Sequence, residues 1–268
     1  MNNTPYPIFC RGHSGGRLLC ELFIRNNIPM GEVSPEKKDT SFFSADNPQL
    51  RQIILNAYTY LNSTDDTKQY YQNVMGECVT EFYRTQIPEK SKIFGWKHGI
   101  SLFSMIILLE AFPRAKVIHL IRDGRDVMLS RLNARIENLA DPLNRLAVFG
   151  DAAIQSFEGL PLNETTVANY RNALEIQHWV TAVEFGLQGR NYPKQYLEIK
   201  YEELCDHPIE IAQQIFNFLE VPFQDSAKTW LSQAVYQGRI GKWKELSATE
   251  LELPLKIATP LLKKLGYL

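Results

Sequence analysis

The sequence predicts an α/β protein with a mainly parallel sheet flanked by helices, built around a P-loop-like phosphate-binding core. Three observations predict it. Short apolar runs alternate with longer stretches of helical period, the pattern of parallel strands joined by helices that cover both faces. One such run, Pro7-Ile8-Phe9-Cys10, feeds the glycine-rich turn Arg11-Gly12-His13-Ser14-Gly15-Gly16, after which Leu18, Leu19, Leu22 and Phe23 recur at helical spacing. Strand, glycine-rich turn and helix in that order form a phosphate-binding layout. A chain of 268 residues, 44% of them hydrophobic, is also long enough for one large domain with a substantial core. A single domain over residues 1–268 is expected, with a helical lid region at about 45–90 and an insertion at about 133–165.

After the first strand and helix, residues Asn47 to Arg84 read as helical, with polar faces rich in tyrosine (Tyr58, Tyr60, Tyr70, Tyr71). Ile93-Phe94-Gly95-Trp96 is a strand. Leu102 to Phe112 is a helix apolar on nearly all sides and therefore buried, and Pro113 ends it. Lys116 to Ile121 is the clearest strand in the chain. It runs into Arg122-Asp123-Gly124-Arg125-Asp126 and a helix through Ser130. Asn133 to Asn163 is irregular and mixed and reads as an insertion. A helix from about Thr166 to Leu187 precedes a strand at Tyr196 to Lys200. Pro208 takes a favoured first helical position, with Ile211, Ile215, Phe218 and Leu219 as the apolar stripe. The last helix opens on a capping box, Ser247 to Glu250, and places Leu251, Leu255, Ala258, Leu262 and Leu265 on one face. Pro254 and Pro260 are expected to kink or divide it, and Gly266 to stop it.

Composition narrows the function. A formal net charge of -1 argues against a general nucleic-acid partner, which calls for a basic face, but leaves room for a few arginines in one anion pocket. Cys10, Cys20, Cys78 and Cys205 are widely spaced, form no metal-ligand pattern and read as buried reduced thiols. Met1 to Phe9 lacks the features of a signal peptide, and the longest apolar stretch is far too short to span a bilayer. The cytoplasm is the expected compartment.

Two segments carry chemistry. In Arg11 to Arg17, glycines at 12, 15 and 16 let the backbone approach an anion, the following helix offers its free amides, and Arg11 and Arg17 add fixed positive charge. A magnesium-dependent phosphotransferase would need Lys followed by Ser or Thr to hold the metal, whereas this chain has Arg17 followed by Leu18. The loop suits a phosphate handled without magnesium. The second segment sets Arg122 at the end of a strand and Ser130 eight positions on, about two helical turns away. A guanidinium and a hydroxyl so placed can clamp one phosphate. A surface ion-pair cluster with Asp123, Arg125 and Asp126 is the competing reading.

These segments resemble the sulfotransferase superfamily, in which an N-terminal Gly-x-x-Arg-Ser-Gly-Thr-Thr loop holds a 5′-phosphosulfate. A later Arg-Asp-x-Arg-Asp-Val-x-x-Ser segment there holds the 3′-phosphate of 3′-phosphoadenosine 5′-phosphosulfate (PAPS). The chain has Arg122-Asp123-Gly124-Arg125-Asp126-Val127-Met128-Leu129-Ser130. Trp96-Lys97 before Phe112-Pro113-Arg114, Tyr201-Glu202-Glu203-Leu204 with Pro208, and Gly238-Arg239-Ile240-Gly241-Lys242-Trp243 agree in order. The ending Pro260 to Tyr267 resembles the branch of bacterial and protein-tyrosine sulfotransferases. Residues 40–90 and 133–165 match poorly.

The resemblance implies that PAPS is the donor, with no metal. Arg122 and Ser130 would bind the 3′-phosphate; Arg239, Gly241 and Lys242 would close over the nucleotide with Trp243 nearby; Lys97 would face the transferring group. The first loop departs from the family, with His13 where Arg or Lys precedes Ser14-Gly15, and Gly16-Arg17 in place of two hydroxyl residues. Arg17 is expected to supply the missing charge. An attacking hydroxyl needs a base. Glu32, in Met30-Gly31-Glu32-Val33, resembles the Gly-Glu element that supplies it in the tyrosyl branch, and His98 is the second candidate. His119, His178 and His207 read as structural. The acceptor is a hydroxyl-bearing small molecule, saccharide, lipid or peptide. A magnesium-dependent phosphotransferase and a nucleotide-binding module without turnover remain as alternatives.

Overall fold

The computed structural model describes residues 3–133, 164–236 and 238–268, so the insertion expected at 133–165 lies almost wholly outside the described residues. The chain divides into two compact units: residues 1–121 with 185–237, and residues 122–184 with 238–268.

The first unit is α/β and holds every described strand. β2 (Ile8–Cys10), β4 (Val117–Ile121) and β5 (Tyr196–Lys200) form a parallel sheet in the order β2-β4-β5. Phe9 lies opposite His119, and Leu120 opposite Ile199. All five residues of β4 are buried, as expected for a central parallel strand covered on both faces. β1 (Thr4–Pro5) pairs in parallel with β3 (Ile93–Phe94). α1 (Gly16–Arg25) follows β2 directly and buries Leu19, Cys20, Leu22 and Phe23.

The region read as one helical stretch is three helices: α2 (Pro48–Leu55), α3 (Ala57–Tyr60) and α4 (Asp65–Gln86). Their starts obey local rules. The Asn47 side chain accepts the amides of Gln49 and Leu50, with Pro48 in the first turn, and Thr64 accepts that of Thr67. An aromatic cluster anchors them to the sheet: Phe43 stacks on Trp96 with centroids 4.0 Å apart, and Phe82 meets Trp96 edge-on at 6.0 Å. The helix expected from Leu102 opens earlier and differently. Gly99–Ser104 form a 3-10 turn before α5 (Met105–Ala111). The hydroxyls of Ser101 and Ser104 donate to the carbonyls of His98 and Ser101, each at 2.7 Å, which holds the tighter winding. α5 stops ahead of Pro113, whose ring disfavours helical geometry in the residue before it. α7 (Glu164–Leu187) leads back to β5. Three helices close the unit: α8 (Tyr201–Asp206), α9 (Pro208–Leu219) and α10 (Asp225–Ala234).

The second unit comprises α6 (Gly124–Asn133), most of α7 and α11 (Ala248–Lys264). Trp179 of α7 is fully buried and lies where a Cβ on Gly124 would sit, 2.4 Å from its ring. Arg131 pairs with Glu175 in the same interior. α11 begins with the expected capping box at Ser247 and Glu250. The helix is not divided at Pro254 or Pro260; both prolines lie within one helix. The packing accounts for this. Leu253 and Ile257 pack on Ala173 and Leu174, while Leu251, Ala258, Leu261 and Leu262 are buried. Burial on this scale offsets the amide hydrogen bonds that two prolines remove. Gly266, at φ 74, ends the helix as Tyr267 N–H reaches back to the Leu262 carbonyl.

Candidate functional site

In the first unit the site is built around the turn from β2 to α1. The Ser14 amide donates to the Arg11 carbonyl at 3.1 Å, and His13 and Gly15 take left-handed conformations at φ 73 and φ 91. The glycines have a reason that the sequence alone does not state. A Cβ on Gly15 would come within 2.2 Å of the Tyr201 ring, and one on Gly16 within 2.5 Å of Cys10 Sγ and 3.0 Å of Lys97 Cε. Gly15 and Gly16 are therefore required by what packs against the turn as well as by what the turn binds. Burial pushes the Cys10 thiol up to about 11, which disfavours its thiolate.

Ser14 tests whether this turn fits an anion. Its residue is 1% exposed, and its hydroxyl finds no hydrogen-bond partner among the described residues. A buried polar atom left unmatched costs free energy unless a ligand satisfies it. Beside it, the first amides of α1 carry partial positive charge, and no acidic residue stands in the first turn to neutralise it. The hydroxyl and the amides fit an oxyanion such as the end of a phosphosulfate.

The segment after β3 borders this turn. A Cβ on Gly99 would stand 3.4 Å from Gly12 N. Lys97 is 7% exposed, and its ammonium donates to Asp39 Oδ1 at 2.6 Å and to the Lys37 carbonyl at 2.8 Å. Asp39 sits at the end of a hairpin, with Val33 paired to Thr40 and the Ser34 amide donating to the Asp39 carbonyl. Thr40 is hydrogen-bonded to both the backbone of Lys97 and the carbonyl of Met30. Arg17 is exposed on α1 and donates from Nη1 to the Glu36 carbonyl of the same hairpin at 3.3 Å.

The two base candidates differ. His98 is half-buried, and burial lowers its imidazole below the usual histidine range, partly opposed by Asp39. Its Nδ1 accepts the Ile100 amide at 3.4 Å, which leaves the proton of the neutral ring on Nε2. Glu32 is exposed, on a turn whose Gly31 takes φ 67 under the Phe82 ring and whose own amide donates to Gln86 Oε1. Lys97 and His98 are thus brought beside the glycine turn. Glu32 stands on a separate exposed turn.

The second unit holds the other segment. Arg122 is 5% exposed, and its carbonyl accepts the Trp179 indole N–H at 3.0 Å. Its Nη2 donates to the Arg239 carbonyl and lies 3.7 Å from Asp126 Oδ2. The Asp126 carboxylate accepts the amides of Gly241 and Trp243 at 2.7 and 3.1 Å. Arg125 forks onto Asp123, donates to the Tyr267 carbonyl and lies 3.7 Å from the centre of the Trp243 ring. Asp123 and Asp126 do pair with the arginines, but as buried groups and not as a surface cluster, and Asp126 also orders the turn at Gly241 and Trp243. Ser130 is half-buried farther along α6, Arg239 and Lys242 are exposed, and Gly241 takes φ 76 ahead of the 3-10 turn Lys242–Glu245.

Sequence reasoning missed three groups: Asp39, the Tyr201 ring against Gly15, and the loop-holding part of Asp126. Tyr201 and Asp126 lay within motifs already singled out. Asp39 carried no local signal, because its partner is 58 positions away.

The family described as Sulfotransferase family matches residues 11–225, well over half of the chain. A sulfotransferase of Mycobacterium avium aligns over 96% of this chain and 76% of its own, with TM-score 0.53 and 13% identity. The sulfotransferase domain of a Synechococcus olefin synthase covers 96% of this chain and 95% of its own, at TM-score 0.51 and 14% identity. A mouse sulfotransferase complexed with PAP covers 100% of this chain and 89% of its own, at TM-score 0.54 and 14% identity. At such identities the likeness is one of fold. A protein of Aquifex aeolicus described as uncharacterized is 25% identical over 161 residues, and this chain spans only 18% of its length.

Proposed function

Because the chain belongs to the sulfotransferase family, we propose that it transfers a sulfuryl group from PAPS to a hydroxyl acceptor. The observation that carries the reading is Ser14: a buried hydroxyl without a hydrogen-bond partner among the described residues, set at the start of α1 in a strand–turn–helix with Arg17-Leu18 where a magnesium-holding hydroxyl would stand. The mouse relative complexed with PAP supports the choice of nucleotide.

Bound, the donor supplies an activated sulfuryl group with a nucleotide phosphate as its leaving group. The residues of this chain do the rest. Arg11, Gly12, His13, Ser14, Gly15, Gly16 and Arg17 grip the 5′-phosphosulfate, with Arg17 carrying the permanent charge that His13 does not. Arg122 and Ser130 hold the 3′-phosphate, and Arg239, Gly241, Lys242 and Trp243 cover the nucleotide. Lys97 stabilises oxygen charge as it grows during transfer. Glu32 takes the acceptor proton. Its exposed carboxylate is open to an incoming hydroxyl, whereas the neutral His98 ring has its Nδ1 engaged by the Ile100 amide. The ending Pro260–Tyr267 supports membership of the branch that includes bacterial and protein-tyrosine sulfotransferases. The expected compartment is the cytoplasm, and among the described residues no helix is long and apolar enough to cross a membrane.

The test is thermal stability with the desulfated donor, 3′-phosphoadenosine 5′-phosphate. At a hundredfold excess over its dissociation constant, and without magnesium, this nucleotide should stabilise the fold by about 2.7 kcal/mol. A response to ATP with magnesium and none to this nucleotide would favour a phosphotransferase instead.

A further inference from the structure

The ammonium of Lys97 is engaged by groups of the protein itself. It is held by the Asp39 carboxylate at 2.6 Å and by the Lys37 carbonyl at 2.8 Å, and its stem passes so close to α1 that a Cβ on Gly16 would meet Cε at 3.0 Å. We propose that Asp39 is a positioning residue that latches Lys97 in the free protein, and that an anion bound at the start of α1 must displace this carboxylate to engage the lysine. The proposal rests on the donor reading above.

The latch is built, not incidental. Asp39 is presented by a short turn in which Lys38 takes a left-handed φ of 54. The Asp39 amide donates to Ser34 Oγ at 3.1 Å, and the Lys38 amide to the Ser34 carbonyl at 3.0 Å. Arg17 and Glu21 of α1 hold the same turn, through the Glu36 carbonyl and the Lys38 ammonium. The Lys97 side chain is 8% exposed, so its charge needs a partner close by in either state. Two bidders for one buried cation follow: Asp39 from the hairpin and an oxyanion from the turn. Asp39 is also sensed by His98, Cys10 and Cys20, each of whose ionisation it disturbs, which places its charge among the groups that line this region. A latch of this kind keeps the transferring side of the site neutral until the donor arrives, and frees the Asp39 carboxylate only afterwards.

The experiment is a double-mutant cycle on affinity for 3′-phosphoadenosine 5′-phosphate, measured by calorimetry with no turnover required. Asp39→Asn should tighten binding roughly tenfold, since the anion no longer competes with a carboxylate. Lys97→Met should weaken binding, and adding Asp39→Asn to it should give no gain. Equal tightening in both backgrounds would show simple repulsion at a distance, and unchanged or weaker binding in Asp39→Asn would show that the carboxylate does not hold the lysine back. Either result overturns the latch alone. No binding to the unmodified protein would overturn the donor reading, and the latch with it. A second measurement uses the unmodified chain. On adding the nucleotide, amide exchange at Lys38 and Asp39 should quicken as the hairpin loses its tie to Lys97. Slower or unchanged exchange there contradicts the proposal.

Discussion

Asp126 accepts the backbone N–H of Gly241 through Oδ2 at 2.7 Å, across 115 positions of chain. With Oδ1 on the Trp243 amide, one buried carboxylate holds both ends of the turn that carries Lys242. Asp126→Ala leaves two amides without an acceptor and Arg122 without the carboxylate 3.7 Å away. Breaking a buried ionic contact of this type costs about 3–5 kcal/mol. Urea unfolding of the variant should show a loss of that size, while Asp126→Asn, which keeps one acceptor oxygen, should lose less.

Arg122 offers a sharper test of the nucleotide assignment. Arg122→Ala should weaken 3′-phosphoadenosine 5′-phosphate by about 2 kcal/mol or more, the worth of a charge-assisted contact, and barely affect an analogue without the 3′-phosphate. Equal losses for the two ligands, read by calorimetry, would remove Arg122 from the 3′-phosphate.

Proton transfer can be separated from donor binding. Glu32→Gln should keep nucleotide affinity and lower turnover roughly a hundredfold or more. His98→Ala should have a smaller effect, because its ring is held neutral by burial and its Nδ1 is engaged. The reverse ranking in single-turnover assays would move the base to His98.

His119 predicts a pH dependence of stability. It is fully buried in β4, Nδ1 lies 2.6 Å from the Tyr196 hydroxyl, and a Cβ on Gly186 would meet its ring at 2.2 Å. Burial lowers its pKa to about 4. The unfolded chain titrates near 6.5, so between those values the unfolded state binds the extra proton and stability rises with pH. The contribution is complete above about 6.5 and is lost as pH falls towards about 4. The span amounts to roughly 3 kcal/mol. His119→Gln should flatten that part of the stability profile measured by denaturant unfolding.

Much of the fold was legible because it rests on local chemistry. β5 runs from Tyr196 to Lys200 as read, the capping box sits at Ser247 and Glu250, and the glycine turn lies between a buried strand and a helix. Such features depend on neighbours a few positions apart, and sequence spacing reports those directly. The 3-10 opening at Gly99–Ser104 and the unbroken α11 were not legible. The first depends on where two serine hydroxyls find carbonyls, and the second on how much apolar surface the helix buries through Leu251, Ala258, Leu261 and Leu262.

The same division holds for the site. The strand–turn–helix, the Arg122 to Ser130 spacing and the absence of a metal-holding hydroxyl after Arg17 were determined by the sequence itself, since each is a contiguous pattern. Only the tertiary structure decided that Gly15 lies against Tyr201, that Asp126 holds the turn at Gly241, and that Lys97 is bound by Asp39. These pairings join residues 58 to 186 positions apart. Their strength comes from burial, which raises the cost of an unmatched charge or a misplaced Cβ, and burial is a property of the folded chain that no local pattern encodes.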